Sequence, residues 1–240
     1  MLGDASVIVV VPAFEEAPRI ARVIRGVPAE VDRVIVVDDA SRDRTGDEAR
    51  AASDGRVTVV RHAMNRGVGA AIARGYREAL AAPGGPNDAF VVMAGDAQMD
   101  PADLARVAAP IARGEAGYVK GDRFGAPDVA RVMPRARLVG GKALSWLTSR
   151  AIGVRVRDSQ CGYTAIARWA CARLDLDGLW PRYGYPNDLL SQLALRKIPI
   201  AEVPVRPVYA DEVSRLRAWH LAGITRVIAR AWVRRLARAR

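Results

Sequence analysis

Short runs of β-branched residues alternate with helical patterns between residues 6 and 96 of this chain, and this alternation constrains the fold most. The runs, in chain order, are SVIVVVP, DRVIVVDD, RVTVVRH and AFVVMAGD. They are almost continuously apolar, which is typical of strands buried on both faces. Pro18 can open a helix after the first run, and GVGAAIARGYREALAA predicts a helix before the fourth. We therefore expect an α/β fold with a doubly wound, mostly parallel central sheet, flanking helices and a ligand site at the C-terminal ends of the strands.

The second half of the chain is less regular. AGYVKGDRF and IPIAEVPVRPVY are interpreted as strands, and the prolines of the latter place it at a sheet edge because proline cannot donate to a ladder. RLVGGKALSWLTSRAIG and PNDLLSQLALRKI are interpreted as helices. We find no internal repeat and no low-complexity linker. The simplest division is one domain over residues 1–214 and a basic C-terminal amphipathic helix over residues 215–240.

The positive charge of the chain is concentrated in that tail. From residue 215 onward there are eight arginines and no acid, which accounts for most of the net charge of +11. Several apolar residues fall broadly on one face of the predicted helix: Leu216, Trp219, Ile224, Val227, Ala231 and Leu236. Contact with an anionic membrane surface is the favoured interpretation. Packing on its own domain or in a homo-oligomer, and nucleic-acid contact, are the alternatives, and we expect no nucleic-acid partner.

Cysteine and histidine are scarce. The two cysteines, Cys161 and Cys171, lack metal-binding spacing, and only two histidines are present, so neither a disulfide framework nor a histidine-rich metal site is expected. A catalytic metal would need oxygen ligands, which favours Mg²⁺ or Mn²⁺. No run reaches about 18 continuous apolar residues, so no membrane span is expected. The default location is the cytoplasm.

Acidic residues follow three of the predicted strands. The segments are VPAFEE, VVDDASRDRTGD and MAGDAQMDP. Asp38 and Asp39 would repel each other unless both accept hydrogen bonds, from backbone amides or from a ligand's imino group and ribose hydroxyls. Taken alone, the pair favours an Asx-type cap for the helix after Ser41 slightly over a ligand role. Asp96 and Gln98 alternate, so an extended backbone would turn both to one side, as two ligands of one hard cation require. Asp100 before Pro101 is interpreted as a helix N-cap.

These segments, with NRGVGAAIARGY, VKGDRF and DSQCGYTAI, occur in the order and rough spacing of the family 2 glycosyltransferases. From about Val7 to about Ser214 the chain resembles their dolichol- or polyprenyl-phosphate sugar synthase branch. The resemblance implies the GT-A fold, which agrees with the predicted sheet. It also implies a donor-binding pocket in which Asp38 and Asp39 read the base and ribose, lined by Pro12, Ala13, Phe14 and Glu15.

The resemblance also implies a metal site with one departure. The family usually has Asp-Ala-Asp-Gly-Gln where this chain has Ala94, Gly95, Asp96, Ala97 and Gln98. Asp96 and Gln98 would hold Mg²⁺ or Mn²⁺ on the donor diphosphate, which gives Asp96 a catalytic role. The first family acid is Ala94 here, so weaker metal affinity follows, or compensation by water or by the diphosphate.

For the acceptor side, Arg123 matches the arginine of a family Gly-Ser-Arg motif and suits a phosphate oxygen, with a surface salt bridge as the alternative. Arg135 and Arg137 precede a helix that borders the acceptor site in the family, where they would bind an acceptor phosphate. Arginines that are simply exposed to solvent are equally consistent with the sequence. Asp158 and Gln160 match an Asp-x-Gln-x-Gly pattern at the floor of the sugar pocket. Asp188 is either the base that activates an acceptor hydroxyl or a helix cap, and an anionic lipid phosphate needs no base.

The expected function is therefore that of a metal-dependent, inverting glycosyltransferase. It would move a hexose from a nucleoside-diphosphate sugar to a polyprenyl phosphate or another membrane-associated acceptor, acting as a peripheral protein at the inner membrane face. The alternatives are the same chemistry on a soluble saccharide or metabolite, and a degenerate nucleotide-sugar-binding protein without turnover. The motifs do not specify the sugar or the nucleotide.

Overall fold

The computed structural model describes residues 2–127, 129–208 and 218–238, with the backbone alone for residues 218–220. Within these residues seven strands form one sheet: β1 (Val7–Ala13), β2 (Arg33–Asp38), β3 (Val57–Arg61), β4 (Ala89–Val92), β5 (Tyr118–Asp122), β6 (Thr164–Ala167) and β7 (Ile200–Pro204). The α-helices are α1 (Ala17–Gly26), α2 (Thr45–Ala51), α3 (Val68–Ala81), α4 (Leu104–Ala112), α5 (Val129–Val132), α6 (Arg135–Ile152), α7 (Arg168–Cys171), α8 (Tyr185–Leu195) and α9 (Ala218–Arg238).

The sheet has the strand order β3-β2-β1-β4-β6-β5-β7. β1 to β4 are mutually parallel, and β6 runs antiparallel to both of its neighbours. β5 and β7 are parallel to each other, so β6 alone is reversed in the described sheet. The predicted mostly parallel α/β sheet is confirmed, and the proline-containing strand lies at an edge as expected.

The central strands are apolar because both of their faces are covered. Val9, Val10 and Val11 of β1 are fully buried. The chain moves outward from β1 through β2 to β3 and then returns past β1 to β4. Because crossovers are right-handed, α3 lies on the opposite face of the sheet from α1 and α2. At Gly75 of α3 a β-carbon would come within 2.2 Å of Val10 Cγ1, so the helix approaches the strand closely.

From β1 the chain continues to β2 on one side of that strand, whereas β4 and the later strands lie on its other side. The direction of the connections therefore changes between β1 and β4. In an open α/β sheet such a point leaves a crevice outside the C-terminal ends of the strands. Asp100, beyond β4, accepts a hydrogen bond from the Ala102 amide at 3.0 Å and starts a short 3-10 turn, which confirms its predicted capping role.

The C-terminal part of the chain adds a cluster of helices beside the sheet. α9 packs against α6 and α8 through buried Ile224, Val227 and Ala231. The predicted domain boundary at residues 214 and 215 lies outside the described residues, as do Leu216 and the side chain of Trp219. Searching the described helices for a segment long and apolar enough to cross a bilayer finds none.

Candidate active site

A first cavity of about 550 Å³ opens where β1 and β4 end side by side. The acidic residues Glu15, Asp39 and Asp96, predicted from three separate strand ends, all line it. The remaining lining residues come from the same turns, from the start of α3 and from the segment before α8: Pro12, Ala13, Phe14, Glu16, Asn65, Gly67, Val68, Ala71, Ala94, Gly95, Arg182 and Tyr183. The structure therefore brings the predicted strand-end residues together at one site.

Sharp turns follow each of these strands. Glu15, Ala40 and Ala97 adopt positive φ angles of 54°, 62° and 62°. A residue with a β-carbon pays roughly 1–2 kcal/mol for this conformation, and such strain concentrates at functional sites. After β4, a β-carbon on Gly95 would come within 3.1 Å of the Ala13 β-carbon, so the two strand ends touch. No sequence signal marks the two alanines.

Asp39 holds the wall of the first cavity through main-chain contacts. Its carboxylate accepts hydrogen bonds from the amides of Arg66 at 2.8 Å and Gly67 at 2.7 Å. Nδ1 of His62 lies 2.7 Å from Asp39 Oδ1. These contacts fix the loop that leads into α3.

Asp96 and Gln98 lie beyond β4, as predicted, and both line a second cavity of about 450 Å³. The backbone N–H of Gln98 donates to Asp96 Oδ1 at 3.1 Å, and this hydrogen bond fixes the turn after β4. Among the described residues no group of three or more His, Cys, Asp and Glu side chains could hold a metal. One carboxylate and one amide oxygen fit a Mg²⁺-like ion only together with ligand phosphates and water, which is how such ions are commonly bound.

The second cavity joins the first at a shared wall that contains Asp96. Ala94, Tyr183 and Pro12 are also common to both cavities. Three arginines line the second cavity: Arg123, Arg137 and Arg206. Its other walls are largely apolar and come from the segment before β6, from the turns beside it and from the helices, with Met99, Met133, Leu144, Leu221 and Ile224 among them. The cleft therefore has an acidic half and a basic, apolar half that meet at Asp96.

The glycosyl transferase family 2 model matches residues 8–173, more than half of the chain and all of the first cavity's strand ends. The chain belongs to glycosyl transferase family 2. It is 28% identical over 225 residues to a UDP-N-acetylglucosamine–dolichyl-phosphate N-acetylglucosaminyltransferase of Methanococcus voltae, covering 88% of each protein. It is 30% identical to an undecaprenyl-phosphate mannosyltransferase of Micrococcus luteus, covering 83% of this chain and 82% of the relative.

The fold agrees with a solved member of the GT-A class. Glucosyl-3-phosphoglycerate synthase of Mycobacterium tuberculosis, in complex with Mn²⁺, UDP and its product, superposes with a TM-score of 0.70. The two sequences are 22% identical, and the match covers 96% of this chain and 80% of the synthase. The chain is thus a glycosyltransferase with the GT-A fold.

Asp38 does not reach the cleft of this glycosyltransferase. It is fully buried and lines neither cavity. Its Oδ1 accepts from the Ser41 amide at 2.9 Å, and its Oδ2 pairs with Arg61 at 2.6 Å. This placement does not match the expectation that Asp38 reads the donor base or ribose, because both carboxylate oxygens brace the turn after β2.

Arg123 and Asp158 form a buried ion pair. The Arg123 guanidinium contacts both carboxylate oxygens, at 2.7 and 2.9 Å. Asp158 also accepts from the amides of Arg123, Gln160 and Cys161. Arg123 lines the second cavity of the transferase, whereas Asp158 lies beneath it. Asp158 is therefore placed to position Arg123 and its own loop rather than to touch a ligand.

The other predicted acceptor residues differ in placement. Gln160 lines the second cavity, and its Nε2 donates to Ser159 Oγ at 2.8 Å and to Asn187 Oδ1 at 3.1 Å. Arg135 is exposed at the first residue of α6 and does not line the cavity, although Arg137 does.

Asp188 lies inside α8 rather than at its cap, because that helix begins at Tyr185. It is buried and pairs with Arg234 of α9 at 2.8 Å. Its other oxygen accepts from the Trp180 amide at 3.0 Å. The carboxylate lines neither cavity, so this geometry does not place it as a base for an acceptor hydroxyl.

Lys120 is a site residue that the sequence analysis missed. It is fully buried in β5, and its Nζ donates to the carbonyl of Cys161, which lines the second cavity. Burial lowers the pKa of this ammonium group. Nearby, burial raises the pKa of Glu202, which accepts from the amides of Arg157 and Asp158. A single lysine in the apolar run YVKGD was the available signal.

Proposed function

We propose that this transferase is metal-dependent and inverting, and that it moves a hexose from a nucleoside-diphosphate sugar to a polyprenyl phosphate. The observation that carries the proposal is the meeting of an acidic cavity and an arginine-lined, apolar cavity at Asp96. In the proposal the first cavity binds the donor and the second binds the acceptor. The names of the relatives from Methanococcus voltae and Micrococcus luteus support this acceptor class.

The donor side is the part of the proposal that involves a metal. Asp96 and Gln98 would hold Mg²⁺ or Mn²⁺ against the donor diphosphate, as the Mn²⁺ and UDP of the structural neighbour suggest. The metal would supply positive charge to the departing nucleoside diphosphate. Glu15 and Asp39 line the wall of this half of the cleft.

The acceptor side favours a phosphate nucleophile. Asp96 is the one carboxylate among the described residues that line the second cavity, whereas three arginines line it. Guanidinium groups suit phosphate oxygens, and a phosphate is already anionic and needs no base. In an in-line displacement a phosphate oxygen would attack the anomeric carbon as the nucleoside diphosphate leaves, which inverts the configuration. We place this reaction at the inner membrane face, where the lipid acceptor resides.

The test is glycosyl transfer in detergent from a panel of UDP and GDP sugars, with a polyprenyl phosphate or 3-phosphoglycerate as acceptor. We expect transfer to the lipid with Mn²⁺ or Mg²⁺, inverted product by NMR, and loss on chelation. Asp96→Asn should reduce the rate by about 100-fold or more. Asp47→Asn is the matched control, because Asp47 is 69% exposed on α2 and lines neither cavity. Full transfer by Asp96→Asn, transfer in excess chelator, or glycosylation of 3-phosphoglycerate alone would overturn the proposal.

A further inference from the structure

Helix α9 has a second apolar face that the domain does not cover. Ile224, Val227, Ile228 and Ala231 are buried against α6 and α8. Leu236, predicted on the same face, is instead 56% exposed. Successive residues of an α-helix are rotated by about 100°, and this rotation places Leu236 with three other exposed apolar residues on the outer side of α9. This outer stripe consists of Leu221, Trp232, Val233 and Leu236.

Helix α6 exposes apolar residues beside that stripe. Val139, Trp146 and Leu147 are exposed, with the Trp146 side chain 60% accessible. The two helices run side by side in the same direction: the starts of both line the second cavity, and Arg235 of α9 donates to the Arg150 carbonyl near the end of α6. The exposed residues of both helices therefore adjoin, and we call them the α6–α9 surface.

The charge around the α6–α9 surface has one sign. Residues 129–153 and 218–238 contain no aspartate or glutamate. Exposed basic residues flank the apolar side chains: Arg135, Arg137, Lys142, Arg150, Arg226 and Arg230. The Arg150 guanidinium lies 5.6 Å from the centre of the Trp146 ring, so one tryptophan already contacts a cation. Apolar residues with two tryptophans and a basic border match the interface of an anionic lipid bilayer.

We propose that the α6–α9 surface docks this transferase on an anionic membrane. The second cavity opens between the N-terminal parts of α6 and α9, through exposed Gly140 and Leu221. A lipid phosphate held in the bilayer would then enter beside the docking surface and reach Asp96 without leaving the membrane. This inference rests on the proposed function for its acceptor, but the docking itself is measured separately.

The test is co-sedimentation of the full chain with phosphatidylcholine vesicles, with and without phosphatidylglycerol. We expect binding to the anionic vesicles that weakens with salt. Arg226→Gln with Arg230→Gln should weaken it by about fivefold for each arginine. Trp146→Gln with Trp232→Gln should weaken it by roughly tenfold or more. The controls change exposed arginines and an exposed apolar residue elsewhere: Arg44→Gln with Arg50→Gln, at the start and in the last turn of α2, and Met64→Gln.

Transfer assays separate this inference from the proposed function. The tryptophan pair should lose transfer to polyprenyl phosphate in vesicles and keep transfer to the same lipid in detergent. Wild-type protein that transfers in detergent but binds no anionic vesicles would overturn docking and leave the function standing. Vesicle binding without transfer in detergent would support docking and reject the function. A wild-type dimer that the tryptophan pair converts to a monomer, with unchanged vesicle binding, would assign the surface to a second copy and overturn docking.

Discussion

The two halves of the cleft are built by different means. The first cavity is shaped mainly by the main chain: tight turns after the strands, two of them at alanines with positive φ, and Asp39 bound to two backbone amides. The second cavity is held by buried side chains, with the Arg123–Asp158 pair and Lys120 beneath it. Main-chain geometry is tied to the sheet, whereas side-chain networks can change without changing the fold. Under the proposed function, this difference gives the donor a cavity fixed by the sheet and the acceptor a cavity that depends on side-chain contacts.

Hydroxyl and amide side chains extend the network under the second cavity. Asn187 Oδ1 accepts from Thr148 Oγ1 at 2.9 Å and from Gln160 Nε2 at 3.1 Å. Ser145 Oγ accepts from the Ser159 amide at 2.9 Å. These contacts tie α6, the loop after Asp158 and α8 together. The position of Gln160 in the cavity therefore depends on three separate elements.

Replacing one carboxylate in each half gives the strongest test of this difference. Asp158→Asn removes the fully buried carboxylate that pairs with the Arg123 guanidinium, which is 18% exposed, and we expect a loss of about 3–5 kcal/mol in the free energy of unfolding. Asp39→Asn disturbs hydrogen bonds mainly to backbone amides and should cost about 1–3 kcal/mol. Urea unfolding of both variants measures the two losses. Equal losses would contradict a contrast between main-chain and side-chain construction.

A glycine substitution tests the junction between the halves. A β-carbon on Gly69 of α3 would lie 2.2 Å from the Trp180 carbonyl oxygen and 2.8 Å from Tyr185 Cβ. Gly69→Ala must therefore push α3 away from the segment before α8, at a cost of about 1–3 kcal/mol. Because Val68 and Tyr183 line both cavities, binding of the nucleotide should weaken too. Calorimetric titration with UDP or GDP and urea unfolding measure the two effects.

Gly140→Ala is the matched control for that substitution. No atom lies within 4 Å of a β-carbon at Gly140, which is exposed in α6. Helix propensity alone predicts a gain of up to about 1 kcal/mol in the free energy of unfolding. Equal destabilisation by the two alanines would show that the close approach at Gly69 is unimportant.

The fold and the meeting of the acidic strand ends at the first cavity could be predicted from the sequence because their signals are local. A buried parallel strand is a continuous apolar run, and its end is marked by the acids that follow, as at Asp39 and Asp96. The second cavity and the helices beside it depend on partners far apart in the chain: Arg123 with Asp158, and Asp188 with Arg234. Neither pairing has a local pattern. Ala97 likewise gives no sign of its left-handed backbone, because alanine lacks the conformational preference that would mark such a turn.

Lys120→Met gives the smallest expected change in stability and isolates one contact of the second cavity. Burial lowers the pKa of Lys120 below its usual 10.5, so the unfolded chain binds this proton more tightly than the folded protein. The free energy of unfolding then rises with pH from the lowered pKa up to 10.5, and this contribution is lost as the pH falls. Methionine removes the buried charge, which stabilises the protein, but it also removes the donor to the Cys161 carbonyl. The two effects oppose each other, so we expect a net change of about 1 kcal/mol or less at neutral pH. The free energy of unfolding of the variant relative to wild type should fall toward pH 10.5. Tyr118 and Tyr163, whose pKa values are raised by burial, do not affect this difference because both proteins contain them.

The same variant should impair the second cavity even where its stability changes little, because the Cys161 carbonyl loses its donor and the loop after Asp158 shifts. We expect kcat/KM for the acceptor to fall by about tenfold, with nucleotide affinity unchanged. Urea unfolding across this pH range and acceptor kinetics measure the two effects independently. A constant stability difference across the range would reject the titration of Lys120, and unchanged acceptor kinetics would reject its positioning role. A fall in nucleotide affinity would instead show that the two cavities are coupled, because Lys120 lies under the second cavity and lines neither cavity.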